Sequence, residues 1–292
     1  TLYGKIHMSV SYIDSDANSG ITNYEEVNLA SNSSRVGVKG SEDLGNGMKL
    51  GYLMEWSVGM EGTKGDWGTR NRYVTLGGGF GTVLFGKVDT PMKSLGRKVD
   101  LFGERAGDTR NLVNNAGYVD MRAENAMAYI TPNLSGFNAT LAYVTDVLST
   151  AGVGDNYADN NDFDAFSGSA IYNNGPILVG GAYQQHSLSD LSATAKDEKS
   201  WRLAGSYKIA GAKLLAGYTN VGNGKGTNKN DYDVWQIGGA YSFGNNTVKA
   251  QYSDKSEGVK KSKDGAALWA IGFEHKMSKR TMVYVDYGML NN

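Results

Sequence analysis

Residues 48–58 read MKLGYLMEWSV, and their alternation decides the fold class. Met48, Leu50, Tyr52, Met54, Trp56 and Val58 fall on one parity, whereas Lys49, Glu55 and Ser57 fall on the other. A period of two is the signature of a β-strand with one apolar face. The same period recurs in LYGKIHMSVSYI from Leu2, in WRLAGSYK from Trp201 and in VWQIGGAYSF from Val234. In each case the second face carries charged, hydroxyl-bearing or very small residues.

Working outward, the pattern predicts 15 strands, beginning over 2–13, 33–40, 47–59, 70–79, 81–89 and 119–131 and ending over 265–276 and 279–290. Connections alternate in length. SEDLGNG, GGGFG, TPNLSG, YNNGP, KIAGA, FGNN and MSKR are short, while those between them are longer and rich in Asp, Asn, Gly and Ser. Short turns on one rim and long loops on the other describe an antiparallel transmembrane β-barrel with short periplasmic turns and long extracellular loops. The polar face, with Lys5, Arg35, Glu55, Arg122, Glu124, Arg202 and Lys249, suits a wet lumen. The opposite face gathers aromatics near strand ends, where a membrane interface would lie.

Composition agrees. Glycine makes up 40 of 292 residues and proline only 3, which fits many tight turns and close strand contacts. No cysteine is present, so thiolate chemistry and disulfides are excluded. Lysine and arginine (29) balance aspartate and glutamate (30), so no overall field favours nucleic acid, and charge selectivity has to be local. No apolar run is long enough for a membrane-spanning helix.

The segments TLYG, GSEDLGNGMKLGY, GGFGTVLFGK, YITPNLSGFNATLAY, YNNGPI and MSKRT resemble, in order and from end to end, the proteobacterial trimeric porin family of Gram-negative general diffusion porins. The resemblance implies one barrel domain over 1–292 with 16 strands, a homotrimer with one pore per subunit, and a third loop folded inward. It also implies a bacterial outer-membrane location among lipid and lipopolysaccharide and passive diffusion of small hydrophilic solutes, while the excess of basic residues between Pro91 and Val113 adds an expected weak preference for inorganic anions. With 15 strands legible and an unpaired edge in lipid costly, the expectation is either a closing strand after Asn292 or a terminal segment that pairs irregularly.

Between the fifth and sixth strands, the stretch from about 90 to 119 is too long for a hairpin and contains PMKSLGRKVDLFGERAGDTRNLV. It is read as the inward loop, with Leu95, Val99, Leu101, Phe102, Leu112 and Val113 as anchors on the wall. By the resemblance, acidic loop residues Asp100, Glu104 and Asp108 face basic wall residues Arg35, Lys87 and Arg122. Loop cations Arg97, Lys98, Arg105 and Arg110 add positive charge. Strand parity opposes Lys87, which needs a bulge to reach the lumen. Arg70 and Arg72 of RNRYV are read as meeting lipid headgroups or a neighbouring subunit.

Other motifs are weaker. Asp14, Asp16, Asn18 and Glu25, with Ile21, occupy places of a calcium loop, but the sharp-turn glycine arrives one place late and a strand precedes it. Calcium at an external loop is therefore the only cofactor expectation. His7, His186 and His275 are too dispersed for a zinc or catalytic site, and no Ser/His pairing suggests an enzyme. The alternatives to an unspecific pore are a substrate-selective channel, which needs an aromatic track in the lumen, and a structural or adhesive surface protein.

Overall fold

The structure, a computed structural model, describes residues 1–16, 23–62, 67–114, 117–145, 164–188, 194–226, 231–256 and 265–291. Seventeen ladder segments make up the antiparallel wall: β1 (Leu2–Lys5), β2 (Met8–Ser15), β3 (Tyr24–Ser31), β4 (Arg35–Gly45), β5 (Met48–Ser57), β6 (Thr69–Gly78), β7 (Gly81–Asp89), β8 (Arg122–Ile130) and β9 (Phe137–Val144). They continue with β10 (Ala165–Asn174), β11 (Ile177–His186), β12 (Glu198–Ile209), β13 (Ala212–Gly222), β14 (Tyr232–Phe243), β15 (Asn246–Lys255), β16 (Ala266–Lys276) and β17 (Met282–Asn291). Two short helices, α1 (Pro91–Lys98) and α2 (Arg110–Val113), lie between β7 and β8.

β1 with β2, and β3 with β4, are each one long strand interrupted by a kink. β1 pairs with β4 and β2 with β3. At the interruption the Asn32 amide donates to the His7 carbonyl at 2.8 Å, the His7 amide donates to Ser34 Oγ at 2.9 Å, and Ser33 adopts φ 59°. Counted this way, the wall has the 15 spanning strands that the alternation predicts, with the second running from residue 24 rather than 33. A sixteenth strand is not found among the described residues. The main sheet runs in sequence order from β1 to β17. Its two ends approach closely, for His7 Nε2 and Tyr284 Oη lie 2.8 Å apart.

The outer face is apolar and exposed, including Leu203, Ile237, Ile271 and Phe273. Trp201, Trp235 and Trp269 pair with Tyr218, Tyr252 and Tyr287 at centroid distances of 5.1, 5.1 and 5.3 Å, forming an aromatic belt toward the long loops. The buried apolar cluster lies inside the curved sheet, where the segment between β7 and β8 packs on the wall. Met92, Leu95, Val99, Leu112, Val113 and Val119 meet Ile171, Ala182, Ala204, Leu215 and Val234 from five successive strands, β10 to β14, and Leu268 from β16. Met92, Leu95 and Phe102 are fully buried, each contributing about 1.5–3 kcal/mol.

Candidate functional site: the pore constriction

The inward segment begins where Thr90 caps α1, its side chain accepting from the Lys93 amide, and Pro91 opens the first turn. Beyond α1 the loop is held by its main chain. Gln236 Nε2 on β14 donates to the Val99 carbonyl, Lys249 Nζ on β15 to the Leu101 carbonyl at 2.8 Å, and Gln251 Oε1 accepts from the Leu101 amide at 2.9 Å. Phe102 then wedges beside Gly272 on β16, where a Cβ would stand 2.9 Å from the Phe102 ring. The Phe102 ring also lies 4.3 Å from Lys249 Nζ.

This anchoring delivers the loop tip to the opposite wall. Glu104, in the left-handed region at φ 67°, accepts from Lys5 Nζ at 2.8 Å, Arg35 Nη1 at 3.2 Å and Arg97 Nη2 at 2.7 Å. Burial favours a protonated Glu104, but these three cations outweigh it and hold the carboxyl below the usual carboxylate range. From Arg35 the ion pairs continue to Glu55, shared with Arg70, and from Arg97 to Asp89, shared with Lys93 and Arg122. The result is one connected network of six cations, Lys5, Arg35, Arg70, Lys93, Arg97 and Arg122, on three carboxylates, Glu55, Asp89 and Glu104, an excess of three positive charges.

The remaining loop charges, Lys98 apart, are met by local partners. Arg105 pairs with Glu274 at 2.9 Å and Asp286 at 3.2 Å on the last two strands and lies 4.0 Å from the Tyr284 ring centroid. Asp108 chelates Arg110 and accepts from the Glu104 amide at 2.8 Å. Asp100 accepts from the Phe102 and Thr109 amides at 2.8 and 3.2 Å. Burial, and then the neighbouring Asp108, push Asp100 up to about 7, whereas Arg110 overcomes the burial of Asp108 and holds it low. Lys98 is exposed at the end of α1.

Two expectations need correction. Lys87 does not line the lumen. It stands opposite Arg72, which stands opposite Met54, then Val38 and Leu2, and Met54, Val38 and Leu2 are exposed apolar side chains of the outer face. A register shift does occur at this point, but between β7 and β8, so it leaves the Lys87–Arg72 register intact and does not turn Lys87 inward. Lys87 instead pairs with Glu124, which parity had placed on the lumen side, and donates to Thr69 Oγ1 at 2.8 Å.

Arg70, expected at the outer surface, belongs to the constriction. The β5–β6 register slips between Met54 and Trp56, so Arg70 and Asn71 both oppose Glu55. Arg70 bonds Glu55, while Asn71 Oδ1 accepts from Arg122 Nε at 2.7 Å. Arg72 remains outside, its guanidinium 5.0 Å from the Trp56 ring centroid. In the external hairpin Asp14 and Glu25 sit directly opposite one another, and Tyr12 donates to Glu25 at 2.8 Å. Asn18 lies outside the described residues, as does Ile21.

The profile of the Gram-negative porin family matches residues 1–292. The chain belongs to that family. It is 33% identical over 223 residues to outer membrane porin protein 32 of Delftia acidovorans, covering 73% of this chain and 61% of that protein. It is 31% identical over 180 residues to the major outer membrane protein P.IB of Neisseria gonorrhoeae, covering 58% of this chain and 51% of that one. The chain therefore spans between half and two thirds of the length of these curated relatives. Among solved structures, the anion-selective porin from Comamonas acidovorans superposes with a TM-score of 0.81 at 27% identity, over 99% of this chain and 88% of that one. The fold of this porin is thus an outer-membrane β-barrel with its third loop inside.

Proposed function

We propose that this porin is a water-filled channel for passive diffusion of small hydrophilic solutes and ions, with a modest preference for anions. The observation that carries the reading is the constriction network, in which three carboxylates are shared among six cations. At a Debye length of about 8 Å, this local excess acts on a passing ion while distant loop charges are screened, so the overall charge of −1 is a poor guide. The similarity to an anion-selective porin supports the same sign. Planar-bilayer recording tests it. The zero-current potential in a potassium chloride gradient should have the anion sign and shift toward cation selectivity in the Arg35→Gln/Arg122→Gln variant. A cation-selective parent channel, or a potential that the two substitutions leave unmoved, overturns the reading.

A homotrimer in outer-membrane lipid and lipopolysaccharide is part of the proposal. Its support, beside family membership, is the Lys87–Glu124 pair with Thr69 on the outer face. Charged groups there are unfavourable against hydrocarbon and better placed against a second subunit. The mass of the detergent-solubilised protein, corrected for bound detergent, should equal three chains; a monomeric mass removes this part of the reading.

A further inference from the structure

Every cation of the constriction network touches a carboxylate. On the short-turn side of the loop the situation differs. Lys208 and Lys213 stand directly opposite one another on β12 and β13. Lys213 is in register with Ala240, and Ala240 with Lys249, whose ammonium lies against the loop inside the barrel, so the row faces the lumen. Like charges directly opposite in an antiparallel pair are destabilising. Lys213 Nζ also donates to the main-chain carbonyl of Lys98 at 3.2 Å, which brings the end of α1 against the same patch. Among the described residues, neither of the two opposed ammonium groups forms an ion pair.

The facing carboxylate is Asp100, which is within electrostatic reach of Lys213. Both its oxygens are turned to the loop's own amides of Phe102 and Thr109, and burial raises it to about 7, so near neutrality it carries only part of a charge. The lumen wall beside the patch adds neutral Ser206 and Ala240, and the acid of the two strands, Glu198, lies at the far end of β12 opposite His186. Two ammonium groups facing each other, one of them half-buried and with one donor given to a carbonyl, keep about five donors and meet only a partly charged carboxylate, which suits an oxyanion bearing two negative charges better than a halide.

We propose that Lys208 and Lys213 form a second anion site, on the short-turn side of the constriction, that holds a small dianionic oxyanion. The site extends the pore reading and rests on it. A dianion held there lowers the positive potential met by chloride leaving the constriction, so it obstructs the current that the constriction admits.

Inorganic sulfate is the probe. In single-channel recordings in potassium chloride, added potassium sulfate should reduce the current saturably, whereas potassium nitrate at equal ionic strength should not. Lys208→Gln/Lys213→Gln should itself lower chloride conductance, toward the level of the sulfate-saturated parent, and raise the half-blocking sulfate concentration about tenfold, as expected from removing two charges a few ångströms from a dianion. Lys208→Gln alone, which touches no loop atom, should raise it in the same direction and guards against a loop displaced by the Lys213 change. Sulfate at low concentration and constant ionic strength should also raise the unfolding temperature of the parent protein in detergent more than that of the double variant, which shows only the general effect of sulfate on burial. A parent protein that passes no current sinks the pore reading and the site with it. A conducting parent without sulfate block, or a block that survives the double substitution, sinks the site alone.

Discussion

Arg202 on β12 donates through Nη1 to the Met92 carbonyl at 2.9 Å and to Asp120 Oδ1 at 2.7 Å, so one wall arginine holds the first turn of the constriction loop and its last residues together. Its Nε is occupied by Thr219 Oγ1 at 2.8 Å, and the Arg202 and Asp120 side chains are only 5% and 1% exposed. Breaking such a pair from one side leaves a buried charge without compensation. Arg202→Met should therefore destabilise the folded channel by about 3–5 kcal/mol, read as a lowered unfolding temperature, with noisier open-channel current. Gly96→Ala should act in the same direction, since a Cβ there would stand 2.1 Å from Arg202 Nη1. Unchanged stability in both variants would contradict the double tether.

Glu104 is the carboxylate on which Lys5, Arg35 and Arg97 converge. Glu104→Gln keeps the size of the side chain and removes its charge, raising the excess of the network from three to four. Anion selectivity should increase, measured as a larger zero-current potential of the anion sign. A shift toward cations would mean that the tip had moved away from the wall.

Arg70 and Lys87 separate the inner wall from the outer one. Arg70→Gln should move the zero-current potential toward cation selectivity, because Arg70 shares Glu55 with Arg35 inside the pore. Lys87→Gln should leave that potential in place and lower the resistance of the oligomer to dissociation by heat in detergent. The reverse pattern would exchange the two assignments.

The Asp100–Asp108 pair makes the loop sensitive to pH. Because Asp100 is raised to about 7, the folded protein holds a proton that the unfolded chain has released, so its contribution to stability falls as pH rises from about 4 through 7. Asp108 has the opposite sign, being held low by Arg110 after burial is overcome, and loses its contribution only in stronger acid. The unfolding temperature should therefore decline between about pH 5.5 and pH 8, and Asp100→Asn, which imitates the protonated form, should flatten that decline. An equally steep decline in the variant would place the titrating group elsewhere.

Period-two patterning reveals the strands because each side chain must choose between lipid and water, and that choice is written residue by residue, as in Met48 to Val58. The segment over β3 escaped this reading since Glu25, Glu26 and Asn28 sit within an Asp/Asn/Ser-rich stretch that resembles a connection. Arg70 and Glu124 escaped it for a different reason. Parity counts faces correctly only while the register is unbroken, and the slips at Glu55 and after Gly86 have no counterpart in residue type. At Lys87 parity points outward, as the structure has it, and the resemblance points inward. The apolar anchors of the loop were legible from composition. The sharing of Glu104, Glu55 and Asp89 was not, because it arises from strands far apart in sequence meeting across a lumen.

Arg202, Lys213, Gln236 and Lys249, one on each of four successive strands, reach loop carbonyls at Met92, Lys98, Val99 and Leu101. A carbonyl is the same whichever residue bears it. The wall therefore grips a chain path more than a set of side chains, and the side chains along that path are free to be exchanged without surrendering the grip. Lineages carrying this barrel could invert the electrical character of the passage by altering a few loop residues, while the mounting that fixes its width stays as it is.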